Sequence, residues 1–213
     1  VHQKAAVLYR KQARFKLITT GKISQKSLLF ENQHIERLRK ASRYFAYPFD
    51  PEILRQKIEA ECQACDANQD YRLRISLSKS GDLEVDRQVL TSLSPSFCQA
   101  KLCLQEANLQ QAFTYFKTTH RPHLSLGEQE KIYHNTKGEL LETSIGNLVL
   151  KIAGKLYTPP IRLGILPGIY RQHLLETGQL EEKILTLADL AQVEAIYGCN
   201  AVRGLYELSL EEN

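Results

Sequence analysis

Short alternating runs and stretches of helical spacing divide the first half of the chain into strands and helices. Residues 14–20 (RFKLITT) and 26–30 (KSLLF) read as strands flanking a turn at GKISQ. Asn32 stands where an N-cap belongs, and Ile35, Leu38, Ala41, Ser42 and Phe45 mark the inner face of a helix over 33–45. Pro48 stops it. Asp50 and Pro51 then cap and open a second helix, with Ile53, Leu54, Ile58 and Ala60 facing inward. YRLRISL at 71–77 alternates like a half-buried strand, turns at 79–82 and pairs with LEVD. Residues 100–104 and 112–118 read as further strands, so the first part predicts two helices on an antiparallel sheet.

The second part has a different texture. Residues 131–134 and 139–141 form a hairpin around NTKG, and strands follow at 147–152 and 155–157. Pro159, Pro160 and GILPGI lead into a helix over 168–177, ended by Gly178. A short strand, a helix near 187–192 and a last pair of strands complete the chain. No internal repeat is visible. The domain boundary is expected near 105–112, giving domains over 1–108 and 109–213.

The chain's 213 residues, 43% hydrophobic and 24% charged, suffice for a sizeable core without metals or disulfides. A net charge of +4 suits an anionic substrate but is far from the basic stripe of a nucleic-acid binder. No apolar run reaches the roughly 18–20 residues of a membrane span. Val1–Arg14 is mixed and basic, unlike a signal peptide, and a cytoplasmic location is expected. Methionine is absent even at position 1, as in a chain trimmed at its start or a sequence written without its methionines. The five cysteines are expected to be free; Cys62-x-x-Cys65 has no second ligand pair at zinc spacing, so no metal is expected.

Several stretches could carry chemistry, and each also has a plain structural reading. LGILPGIYRQ places a glycine- and proline-rich turn before a helix, a natural phosphate seat or simply a tight turn. Glu142 in GELLETSIGNLVL is an acid entering a buried strand region, where it needs a partner such as a cationic ring nitrogen, or else lies at a surface strand end. Arg37 lies beside the inner face of its helix, where a guanidinium needs an anion, or it is solvated. Arg203 in CNAVRGL marks a turn or a carboxylate site. Lys117 in FKTTHR is a surface strand lysine or a buried nucleophile.

In order, HIERLRKASRYF, FKTTHR, GELLETSIGNLVL…YTPPIRLGILPGIYRQ and CNAVRGL resemble the class IV pyridoxal-phosphate enzymes across residues 14–208. That family holds the branched-chain and D-amino-acid aminotransferases and aminodeoxychorismate lyase, and the chain is most similar to the lyase. The resemblance implies an α+β (α/β) fold of two domains, a small N-terminal antiparallel sheet with helices and a larger C-terminal pseudo-barrel. It implies that pyridoxal 5'-phosphate binds through a Schiff base to Lys117, which later moves the proton. It pairs Glu142 with the pyridine nitrogen and assigns the phosphate to Arg37, the amides of Gly168 and Ile169, and Asn200. Thr20 corresponds to a position facing the active site, and Arg121 and Arg203 to contacts with substrate carboxylates.

The implied reaction converts 4-amino-4-deoxychorismate to 4-aminobenzoate and pyruvate; the alternative is transamination of branched-chain or D-amino acids. A homodimer and association with an aminodeoxychorismate synthase component are also implied, without nucleic-acid or membrane partners. Two departures stand out: Thr19-Thr20 where many members carry Glu-Thr, and Leu124 where many lyase-like members have an aromatic residue.

Overall fold

The computed structural model describes residues 15–105, 112–124, 127 and 129–211. The chain forms two compact units, Val1–Thr91 with Phe116–His120, and Ser92–Tyr115 with Arg121–Asn213. The expected boundary at 105–112 falls largely outside the described residues, and the division comes earlier than 108/109. Its cause is the strand at 99–104, which pairs within the second unit's sheet rather than the first's.

The first unit is a four-stranded antiparallel sheet in the order β2-β1-β3-β4, from β1 (Leu17–Ser24), β2 (Ser27–Leu28), β3 (Tyr71–Leu77) and β4 (Leu83–Val89). β1 runs through the expected GKISQ turn. The reversal is a two-residue hairpin at Gln25 and Lys26, whose φ values of 49° and 60° give the primed turn that matches strand twist. Gly21 therefore serves packing, not turning: a Cβ there would meet His34 Nε2 at 2.5 Å.

Helix α1 (Glu31–Phe45) starts before the expected Asn32 cap, from a left-handed Phe30 that makes no side-chain cap. It buries Ile35, Leu38, Ala41, Ser42 and Phe45. Helix α2 (Pro51–Gln63) is capped as expected, with the Asp50 carboxylate accepting from the Glu52 amide at 2.9 Å. Its inner face is Leu54, Ile58 and Cys62, while Ile53 and Ala60 are exposed. At about 2–3 kcal/mol per fully buried aliphatic side chain, residues such as Leu17, Leu54 and Leu73 hold the helices to the sheet.

The second unit carries an eight-stranded sheet in the order β10-β9-β8-β11-β12-β5-β6-β7, with β7 also paired to β8. That extra pairing closes β8, β11, β12, β5, β6 and β7 into a ring, with β9 and β10 as a flap. The strands are β5 (Gln99–Leu104), β6 (Glu130–His134), β7 (Leu140–Thr143), β8 (Asn147–Ile152), β9 (Lys155–Thr158), β10 (Glu181–Glu182), β11 (Ala195–Asn200) and β12 (Gly204–Leu210). β12–β5 and β5–β6 are parallel, and the other ring pairs are antiparallel. Ala100, Ile132, Leu140, Leu148, Ile196 and Leu208 fill one core cluster.

The strand expected at 112–118 is instead a single helical turn, α3 (Ala112–Tyr115), followed by an isolated bridge from Thr118 to Leu17. Aromatic and β-branched residues there suggest a strand, but Ala112, Phe113 and Thr114 are all buried, whereas a surface strand would bury every second residue. Helix α4 (Ile169–Glu176) follows Gly168 and packs Leu174 against Val149 and Cys199. The helix expected near 187–192 is a 3-10 segment, locked by a Thr186–Asp189 capping box.

Candidate active site

In the first unit, Lys117 lies on a short segment pinned beside the start of β1. The Ile18 amide donates to Lys117 O at 2.9 Å and the Thr119 amide to Lys16 O at 2.9 Å. The Thr119 hydroxyl accepts from the Lys16 amide, and the buried Thr118 hydroxyl donates to His120 O at 2.7 Å. Phe116, one residue earlier, packs its ring 4.6 Å from Tyr44 and 5.4 Å from Phe45. Lys117 itself is half-buried.

One turn apart on α1 sit His34, fully buried, and Arg37, half-buried. His34 Nδ1 and Thr19 Oγ1 are 2.6 Å apart, while Nε2 packs against Gly21 without a hydrogen-bond partner among the described residues. Burial, reinforced by the charges of Arg37 and then Lys117, lowers the His34 pKa to about 3. The imidazole is thus neutral, and the positive charge in this part of the unit belongs to Arg37 and Lys117. Thr19, the position where the family often has an acid, spends its hydroxyl on this histidine. Thr20 is buried on the opposite face of β1 and pairs across to Arg74.

In the second unit, Glu142 ends up 2% exposed near the end of β7. Leu166 N donates to its Oε2 at 3.4 Å, and His123 Nε2 lies 3.9 Å from its Oε1. Arg121 interacts with the same carboxylate: burial lowers the guanidinium's pKa, and Glu142 pushes it back up. Arg121 thus sits in an enclosed setting with Glu142 as its counter-charge. Directly across the hairpin from Glu142 is Asn147, 3% exposed, whose Nδ2 donates to Leu166 O at 2.8 Å.

The loop joining these two residues is itself heavily bonded. Glu130, fully buried, accepts from the Ser144 amide at 2.7 Å, and its pKa is raised by burial despite that bond. Thr143 and Gly146 close the turn through three mutual hydrogen bonds. Gly146 must lack a side chain, since a Cβ would meet Cys199 O and the Tyr206 hydroxyl at 2.7 Å.

Gly168 precedes α4 in extended conformation, so the first-turn amides and the positive dipole end of α4 are presented at Gly168–Ile169. Arg171 is buried and braces this helix start, donating to Pro159 O at 2.8 Å and to Glu182 at 2.5 Å. Asn200 accepts from the Val202 and Arg203 amides at 3.0 Å and donates to Ile145 O at 3.3 Å. Its side chain is engaged in shaping its own turn, and Arg203 follows on that turn.

These features match a known family. A family model for amino-transferase class IV matches residues 16–209. The chain belongs to the class IV aminotransferase family. Among solved structures it is similar to the "Putative amino-acid aminotransferase" from Mesorhizobium loti, with 27% identity and a TM-score of 0.81 over 92% of this chain and 100% of that one. It shares the fold of the 4-amino-4-deoxychorismate lyase from Pseudomonas aeruginosa, at 21% identity and TM-score 0.67 over 93% and 84% of the two chains. It also shares that of a hypothetical aminotransferase from Mycobacterium tuberculosis in its PLP-bound form, at 17% identity and TM-score 0.75 over 92% and 81%. An uncharacterized protein from Haemophilus influenzae is 33% identical over 79 residues, 37% of this chain and 41% of that protein.

The residues of this family member suit a phosphorylated pyridinium. An uncapped helix start is phosphate chemistry, and a buried carboxylate is chemistry for a ring N–H⁺. Sequence reading places His34 one turn from Arg37 but gives it no role, and singles out neither Asn147 nor Glu130. The signal for Asn147 was a polar residue ahead of the apolar run Leu148–Leu150, too common to single out. Among the described residues no helix is long and apolar enough to cross a membrane, and no cluster of metal-ligating side chains is found.

Proposed function

We propose that this class IV family member binds pyridoxal 5'-phosphate and cleaves 4-amino-4-deoxychorismate to 4-aminobenzoate and pyruvate. The observation that carries the cofactor half is Glu142, a buried carboxylate countered by Arg121 and tied to the loop leading into α4. The likeness to the Pseudomonas aeruginosa lyase supports the reaction half. Likeness to the Mesorhizobium loti protein favours a second reading, an aminotransferase acting on branched-chain or D-amino acids.

When bound, the cofactor supplies a cationic ring that accepts the electrons left by loss of a substrate proton. Lys117 provides the amine that carries the cofactor and moves that proton. Glu142 would face the ring nitrogen and hold it protonated, with Arg121 as the counter-charge of the acid. The amides at Gly168 and Ile169, the α4 dipole and Arg37 hold the phosphate. Asn200 contributes by shaping the turn after β11, Arg203 contacts a substrate carboxylate, and Thr20 lines the substrate side. The neutral His34 spares Lys117 and Arg37 a third neighbouring charge. In keeping with the same reading, we place the enzyme in the cytoplasm as a homodimer, working with an aminodeoxychorismate synthase component.

Incubation of the purified protein with 4-amino-4-deoxychorismate tests the reaction. Pyruvate and 4-aminobenzoate released in equal amounts, with no keto acid added, are the expected result. Amino transfer to a keto acid, with no pyruvate from aminodeoxychorismate, replaces the lyase by the aminotransferase.

A further inference from the structure

Asn147, a buried polar side chain of the second unit with no part in the chemistry above, shares a bonding partner with Glu142 and lies against the α4 start. Asn147 is paired directly opposite Glu142 at the mouth of a tight hairpin. Side chains of directly opposed residues project from the same face of a sheet, a few ångströms apart. Here both reach the same residue, Leu166, through its two flanking peptide groups. Asn147 Nδ2 donates to Leu166 O at 2.8 Å, and the Leu166 amide donates to Glu142 Oε2 at 3.4 Å.

The other end of the Asn147 amide reaches the helix start. A Cβ built on Gly168 would fall inside the van der Waals envelope of Asn147 Oδ1, so glycine there admits the asparagine. Gly168 O accepts from Gln172 N at 3.0 Å, which makes it the first carbonyl of α4's hydrogen-bond ladder. One 3% exposed side chain thus touches the segment before the helix at two points, while its strand partner is the acid.

We propose that Asn147 is a positioning residue that sets the separation between Glu142 and the anion seat at Gly168–Ile169. The ligand class it selects is one carrying a ring N–H⁺ and a phosphate at fixed separation. This rests on the cofactor reading above. Two weak subsites on a rigid mount reinforce each other through effective concentration, and the reinforcement is lost when the mount loosens, even if each subsite survives.

Titration of the full-length apo-protein with pyridoxal 5'-phosphate, and separately with pyridoxal, measures this. Both ligands share ring and aldehyde, so the ratio of their Kd values isolates what the phosphate adds. For the wild type that ratio is expected to be on the order of 100 or more. Asn147→Ala is expected to cut the ratio about tenfold while changing the pyridoxal Kd less than about threefold. Gly168→Ala, which displaces Asn147 from the other side, is expected to cut it similarly. The double variant, in which the clash is gone, should lose no more than either single one.

A ratio unchanged in both single variants overturns the proposal. So does a parallel weakening of both ligands, which marks Asn147 as a packing residue only. If Asn147→Ala does not fold, Gly168→Ala decides on the same ratio. A wild type that binds neither ligand overturns the cofactor reading itself, and this inference with it.

Discussion

The first unit keeps cations beside its chemistry and makes the neighbouring buried base neutral; the second buries acids and surrounds them with donors. His34 is held uncharged by burial and by Arg37 and Lys117. Glu130 and Glu142, by contrast, sit at 0% and 2% exposure, each bonded by a backbone amide. A basic side chain can be emptied of charge by losing its proton. A buried carboxylate needs a positive neighbour instead, and Arg121 supplies it for Glu142. The contrast is one of charge: a buried base kept neutral among cations in the first unit, and buried acids met by donors in the second.

The largest expected effect comes from removing the amine. Lys117→Ala should lower pyruvate release by about 10³-fold or more, and abolish the visible-edge absorbance of the cofactor-loaded protein. Retained turnover would move the reactive amine out of the first unit. Glu142→Gln keeps the volume and drops the charge. It should cost about 10²–10³ in kcat. It should also destabilise the protein by about 3–5 kcal/mol in urea unfolding, because Arg121 is left buried without its counter-charge. An unchanged urea midpoint would show that Arg121 does not depend on this acid.

The same contrast predicts a pH dependence. The folded His34 titrates at about 3, well below an ordinary imidazole, so the unfolded chain binds the extra proton. The stability tied to its neutral form is fully present above about pH 6.5 and drains away as pH falls toward 3, at up to about 1.4 kcal/mol per unit. Urea midpoints measured from pH 7.5 to 4 should fall less steeply in His34→Gln; equal slopes would remove His34 as the cause. The smallest effect expected is Gly21→Ala. Its Cβ would meet His34 Nε2 at 2.5 Å, and the overpacking should cost about 1–3 kcal/mol in thermal or urea unfolding.

Elements made from neighbouring residues were readable in the sequence. The β3–β4 hairpin, the Asp50 cap, the β6–β7 hairpin and the helix after LPGI all appear where local pattern put them. What local pattern could not carry were choices made by distant partners. Gly21 looks like a turn residue until His34, thirteen positions later, is folded onto it. Strand β5 reads as a continuation of the first sheet, but its partners β6 and β12 both follow it in the chain, β12 about a hundred residues on. Lys117 and Glu142 stood out through a family resemblance rather than through spacing. Arg121 was expected at the substrate, and only the fold brings its charge to Glu142.

The five residues Phe116–His120 belong to the first unit although the chain has by then begun the second. During synthesis the N-terminal sheet therefore emerges without its lysine segment. Residues 92–115 must leave the ribosome before Thr118 can bridge to Leu17. At about 5–20 residues per second, that gap is a few seconds in which the sheet exists but Lys117 is not yet seated beside it. A nascent chain halted before residue 116 would carry Arg37 and His34 in place and yet lack Lys117, the amine proposed to take the cofactor aldehyde, until the second unit is under construction.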